Sequence, residues 1–215
     1  MHLPRRFFSR SRSTLLALLA LLALLAGLMA GPAAAEPRVY VLDPARSAVH
    51  FELLHFGTST IRGRFRPVNG TVVLDGSAQR GEISLRLATA SVSTGIAVFD
   101  SRIRAADLLA SESFPEAYFV ATRFGFDGDR VTEVRGEFTL RGVSQPLTLK
   151  ALRYGCRNEI NKASATETET ETEIETEICG GDFEGELLRS TFGATFGLPF
   201  VADRVRLQVQ VEGRR

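Results

Sequence analysis

The chain has 215 residues, with 26 lysines and arginines against 25 aspartates and glutamates, three histidines, two cysteines and no tryptophan. Four of the arginines stand in the first 35 residues, which hold no acidic side chain, so the remaining 180 residues carry 22 basic groups against 25 acidic, a net of −3. That leaves no positive block to neutralise phosphates, which argues against nucleic acid as a partner, and 180 residues suffice for one domain with a sizeable core.

The first predicted element is a leader. Arg5, Arg6, Arg10 and Arg12 precede an apolar run from Leu15 to Met29, and Ala33-Ala34-Ala35 close it before Glu36. This is the pattern of a signal peptide over residues 1–35 with the cut after Ala35, leaving a domain over 36–215. The run of 15 residues is shorter than the roughly 20 that a spanning helix needs, which weighs against a retained membrane anchor. Arg5-Arg6 followed by Phe8 also carries a hint of a twin-arginine leader, so the export route stays open. Export to the periplasm is the expected destination, with secretion as the alternative.

Beyond the leader, most of the chain alternates with period two. "AVHFELLHF" sets Val49, Phe51 and Leu53 on one face and His50 and Glu52 on the other. "EISLRLATA" does the same with Ile83, Leu85 and Leu87, "PLTLKAL" with Leu147, Leu149 and Ala151, and "RVRLQVQVEG" with Val205, Leu207, Val209 and Val211. Turn signals at Asp75-Gly76, Gly125 to Gly128, Arg141-Gly142 and Gly180-Gly181 separate the runs. The spacing predicts an all-β domain of eight to nine strands between about Val39 and Glu212, with one face buried. Closure into a barrel removes exposed edges economically, although a two-sheet sandwich gives the same periodicity.

One stretch breaks the pattern. "RIRAADLLASESFPEAYF", residues 102–119, reads as a short helical crossover that ends at Phe114-Pro115. At helical spacing Asp100, Arg104 and Asp107 form an ion-pair cluster on one face, fixing the crossover to the rim.

Cys156 and Cys179 both lie in the exported part, where pairing is the default. A metal site lacks partners, since CxxC is absent and the only histidines are His2, His50 and His55. Between the cysteines the Thr-Glu repeat carries seven glutamates from Glu159 to Glu177 against Arg157 and Lys162. Repelling carboxylates on one face and little apolar area on the other predict a solvated acidic loop over 155–180.

Four pieces in order resemble the YceI-like family. "VHFELLHFGTSTIRGRF" carries His55, Gly57, Gly63 and Phe65; "TASVSTGIAVFDSRIRAADLLASESFPEAYF" carries Asp100, Arg104, Asp107, Phe114-Pro115 and Phe119. "GEFTLRGVSQPLTLKA" matches through Gly136, Leu140, Gly142, Val143, Pro146 and Leu149, and "STFGATFG" completes the set, so that residues 38 to 212 are almost all covered. The resemblance implies an eight-stranded antiparallel lipocalin-like barrel, periplasmic, that encloses a long isoprenoid lipid such as a quinone tail or polyprenyl chain. A barrel of eight strands has room for its own side chains or one small ligand. A side-chain-filled barrel in a stress or interaction protein is therefore the second reading. The family pattern has a histidine two residues after Asp100, where this chain has Arg102, and polar residues where it has Ala97, Val98 and Phe99.

Strand parity and the resemblance together nominate a hydrophobic pocket. Its expected lining is Phe51, Leu53, Ile83, Leu85, Leu87, Leu147 and Leu149 from strands, with Phe99, Ile103, Leu108 and Phe114 from the crossover. No catalytic residue or cofactor is nominated. His50 and His55 are an odd number apart and so face opposite ways on one strand, and no GxSxG elbow exists. An Arg between Asp100 and Asp107 favours keeping both ionised rather than sharing a proton. The expected partner is an isoprenoid lipid, with transient membrane contact and a monomer or homodimer both open.

Overall fold

The computed structural model describes residues 36–163 and 172–215. The leader expected over residues 1–35 and the middle of the Thr-Glu repeat lie outside the described residues. The described residues form ten strands, β1 (Arg38–Leu42), β2 (Ala48–His55), β3 (Ser59–Phe65), β4 (Val68–Asp75), β5 (Arg80–Ala88), β6 (Glu116–Asp127), β7 (Arg130–Leu140), β8 (Val143–Ala163), β9 (Thr172–Leu188) and β10 (Arg204–Arg214). One α-helix, α1 (Ala97–Arg104), stands between β5 and β6.

These ten segments make an eight-stranded antiparallel barrel, as the period-two pattern and the resemblance implied. β1 and β2 run the same way along β10, which pairs with β2 through Arg206–Gln210 and with β1 through Gly213 and Arg214. β3 and β4 likewise pair with β2 and β1 in turn, so each couple acts as one bent strand. From β4 the order is a plain meander to β10, and the β1–β10 pairing closes the ring. Closure excludes the sandwich alternative.

The alternating apolar faces point inward. Ile83, Leu85 and Leu87 of β5, Leu147 and Leu149 of β8, and Val205, Leu207 and Val209 of β10 are all buried in one core. The β7–β8 hairpin closes on Arg141-Gly142, both with positive φ (53° and 72°), the geometry of a two-residue primed turn.

Two expectations fail for one reason. Gly180-Gly181 is not a turn but the interior of β9, where a Cβ on Gly180 would strike the Val211 carbonyl and one on Gly181 the Arg153 carbonyl. Nor are the described parts of 155–180 a loop, because over 155–163 and 172–180 β8 and β9 continue as a paired ladder in which Cys156 faces Cys179, Asn158 faces Glu177 and Ala163 faces Thr172, while residues 164–171 of the expected loop lie outside the described residues. The like charges are spread by neighbours. Glu177 receives bonds from Arg38 (2.8 Å) and Arg215 (2.6 Å), and Glu175 one from Asn158 (2.6 Å). Thr suits an extended backbone, so the β-branched half of the repeat outweighed its charge.

Cys156 and Cys179 form a disulfide across this ladder, 23 residues apart in sequence. Replacing both by serine is expected to cost about 3 kcal/mol on the chain-entropy model. Urea unfolding of wild type and double variant checks this, and a loss below about 1 kcal/mol would show that the hairpin holds the loop closed without the bond.

Candidate ligand cavity

The barrel interior is hollow. A cavity of about 380 Å³ occupies one end, within the usual size range of small-molecule sites, and a second of about 50 Å³ lies toward the other. The larger one has an almost entirely carbon wall, so the barrel is not filled by its own side chains.

Strand alternation places Phe51 and Leu53 of β2, Leu85 and Leu87 of β5 and Leu147 and Leu149 of β8 in this wall. Phe99 and Ile103 reach it from α1 and Leu108 from the turn beyond. Two nominated residues lie elsewhere. Ile83, one residue pair further down β5, lines the smaller cavity. Phe114 packs over Gly142, where an ideal Cβ would come within 3.1 Å of its ring, and its carbonyl accepts a bond from the fully buried Thr89 hydroxyl (2.8 Å). Parity could not separate Ile83 from the rest, since it gives the face of a residue and not its depth, and Phe114 lies in the crossover, where strand parity does not apply.

Leu85, Phe119, Leu149 and Val209 line both cavities and so form a floor between them. Below that floor Tyr154 faces Tyr40, and burial pushes the Tyr154 hydroxyl up to about 12, with the Tyr40 and Glu177 charges adding to the effect. Burial also pushes the Glu177 carboxyl up, but bonds from Arg215 and Tyr40 outweigh it and hold the group below the ordinary range. Among the described residues, the group close enough to share a cation is Cys156, Glu177 and Cys179. Its sulfurs are joined to each other and its carboxylate is held by two arginines.

The crossover differs from its expected form. The helix comes earlier, over Ala97–Arg104, while residues 105–114 form consecutive turns pinned by bonds such as Ser111 N–H to the Arg104 carbonyl (3.0 Å). The extended backbone of Ala105 ends the helix, so Asp107 does not sit one turn beyond Arg104. The expected Asp100–Arg104–Asp107 cluster is accordingly replaced. Arg102 makes the bidentate pair with Asp107 (2.6 Å on both arms), Asp100 accepts from the Thr94 N–H (2.6 Å) and hydroxyl (2.7 Å), and Arg104 donates to the Ala90 carbonyl (3.2 Å). The Arg102 bond holds Asp107 below the usual carboxylate range, and the Thr94 N–H does the same for Asp100. Both therefore stay ionised at neutral pH.

Arg102 does more than pair. It lines the cavity, and its guanidinium stacks 3.6 Å over the Phe196 ring, joining α1 to the loop 193–203. That loop is secured by Arg189, almost wholly buried, whose guanidinium donates to the carbonyls of Ala194 (2.6 Å), Phe196 (2.9 Å), Val201 (2.8 Å) and Ala202 (2.9 Å). Burial lowers its pKa, partly offset by Asp203. Arg141, at the β7–β8 turn, donates to the carbonyls of Ala106 (2.7 Å) and Leu108 (2.8 Å) and so holds the crossover from the other side. Sequence reasoning found none of these three arginines. The one signal was Arg102, flagged as standing where the family pattern has histidine.

The mouth is ringed by exposed apolar groups. Phe56, Phe200 and Phe196 surround it on one side and Ile96, Val98 and Phe99 on the other, each about half exposed or more. Phe56 and Phe200 lie tilted against each other at 5.4 Å between ring centres, and His55 bridges to Val201. His55 lines the cavity while His50 is exposed, the opposite facing that their odd separation requires.

A barrel of this topology with a hollow apolar end invites comparison with known proteins. A family model described as "YceI-like domain" matches residues 40–213. This chain belongs to the YceI-like family. Protein YceI of Escherichia coli O157:H7 is 33% identical over 191 residues, covering 87% of this chain and 93% of that protein. A UPF0312 protein of Pseudomonas savastanoi pv. phaseolicola is 36% identical over 125 residues, 58% of this chain, and the match spans 65% of that relative's length. Among solved structures, BcnA of Burkholderia cenocepacia superposes with a TM-score of 0.60 at 19% identity, over 80% of this YceI-like chain and 98% of BcnA. A domain from Saccharophagus degradans, described as polyisoprenoid binding and implicated in plant cell wall breakdown, gives 0.56 at 16% identity, over 81% and 97%. At such identities the superpositions speak for the YceI-like fold alone.

Proposed function

We propose that this chain is an exported, periplasmic lipid-binding protein that holds a polyisoprenoid chain, a quinone tail or polyprenyl lipid, in its barrel for carriage or storage. The observation that carries this reading is the hollow end of the barrel, about 380 Å³ with a nearly all-carbon wall open at a rim of apolar groups. Such a wall offers burial without directional readout. Each CH₂ taken from water contributes about 0.8 kcal/mol, so branched hydrocarbon of no fixed headgroup fits the site better than a polar substrate. The description of the Saccharophagus domain as polyisoprenoid binding supports the same ligand class.

Organic extraction of natively purified protein followed by mass spectrometry is expected to return a prenyl lipid. Added polyprenyl quinone at a hundredfold excess over Kd is expected to raise Tm by roughly 5 to 10 °C. No extracted lipid and no shift would end this reading.

A further inference from the structure

The rim has a property that enclosing a ligand does not require. Its apolar groups come from three separate segments, the β2–β3 turn (Phe56), α1 (Val98, Phe99) and the loop 193–203 (Phe196, Phe200), yet they gather at one end of the barrel and face solvent. Phe99 and Phe196 belong to both surfaces, lining the cavity while remaining half exposed. The apolar wall therefore continues outward into the rim, so that a lipid leaving the cavity at this point would meet carbon on the protein side and water beyond it.

Charge around the mouth is biased. Three carboxylates of these segments are engaged, Asp100 by Thr94, Asp107 by Arg102 and Asp203 by the Ser190 N–H (2.8 Å) and hydroxyl (2.6 Å), while Glu112 of the crossover is exposed. Arg64, whose backbone pairs with Ser93 just before α1, makes no ion pair among the described residues, whereas Arg104, at the end of α1, lies close enough to Asp100 for its charge to help hold that carboxyl down while it donates to the Ala90 carbonyl. An exposed aromatic and aliphatic patch with spare positive charge beside it matches the interface of an anionic bilayer, where such rings sit at headgroup level and each nearby arginine adds attraction.

We propose that the rim is a docking surface for an anionic phospholipid bilayer, seating the mouth against the membrane so that a lipid passes between bilayer and barrel without crossing water. This deepens the lipid-binding reading and rests on it for its purpose, but the surface can be tested separately.

The test is flotation of the purified chain with vesicles of phosphatidylethanolamine and phosphatidylglycerol, and in parallel with phosphatidylcholine vesicles. Wild type is expected to float with the anionic vesicles. The triple variant Phe56→Ser, Val98→Ser, Phe200→Ser, which leaves the cavity wall intact, is expected to lose roughly a hundredfold in partition. Arg64→Gln with Arg104→Gln is expected to lose roughly tenfold on the anionic vesicles only. Val39→Ser with Val41→Ser, equally exposed on β1 away from the mouth, is expected to float as wild type does. Binding of farnesol in solution separates the two readings, because the triple variant retains it if only docking is lost. Absence of farnesol binding with vesicle flotation preserved would remove the lipid-carrier reading and leave the docking surface standing. Wild type that stays at the bottom of the gradient, a triple variant that floats unchanged, or light scattering in which the triple variant turns a wild-type dimer into a monomer would overturn the proposal, the last by assigning the rim to a second copy of this chain.

Discussion

Ala117→Phe is expected to cut affinity for a prenyl lipid by more than tenfold while leaving the fold intact. Ala117 is buried on β6 and lines the larger cavity opposite Leu87, so a phenyl ring there projects into the space a ligand would take. Displacing even two CH₂ groups of ligand from the wall is worth about 1.6 kcal/mol, already more than tenfold. Overpacking ordinarily costs about 1–3 kcal/mol, but here the ring enters a void and gains contacts that the cavity denies its neighbours. Tm is therefore expected to hold or rise. Val120→Phe, on the outer face of the same strand, is the matched control. Equal affinities in the two variants would mean that the lipid binds somewhere other than the barrel interior.

Arg189→Met is expected to release the loop 193–203 and lower stability by on the order of 3 kcal/mol. The methionine retains much of the apolar stem but strands four carbonyls that one guanidinium satisfies. Lysine is expected to rescue only part of the loss, because an ammonium has three donors and no planar fork to reach carbonyls spread along nine residues. Hydrogen exchange gives the local readout, with faster exchange at Val201 and Ala202 and faster ligand release than in wild type. Unchanged protection there would show that the β10 side of the loop is held without Arg189.

The strand faces were legible in the sequence because parity is a local property. Phe51, Leu85 and Leu149 needed only an apolar neighbour two positions away. Closure was harder, since it depends on β1 meeting β10 at Val41–Arg214 and Leu42–Gly213, pairs that lie far apart in the chain and leave no mark on its periodicity. The family resemblance supplied what periodicity could not. Glycine misled where its reason was tertiary. Gly180-Gly181 serves close approach of neighbouring backbones rather than a turn, and only the register of β8, β9 and β10 reveals that. The site was half legible for a related reason. Wall residues on strands followed from alternation, whereas Arg102, Arg141 and Arg189 act through backbone carbonyls, an aromatic face and an irregular loop. None of those partners has a fixed sequence offset. Asp107 pairs with Arg102 and not Arg104 because the helix stops at Arg104, a boundary that no capping side chain announces.

The four side chains between the two cavities set a limit of their own. Leu85, Phe119, Leu149 and Val209 belong to the core that keeps the barrel folded, and the same atoms are the end wall against which a hydrocarbon entering from the mouth would come to rest. Length selection would then be a by-product of stability. Shortening one of these side chains to accept a longer tail removes core packing in the same act, so the range of tails such a barrel accepts and its resistance to unfolding are bound to change together.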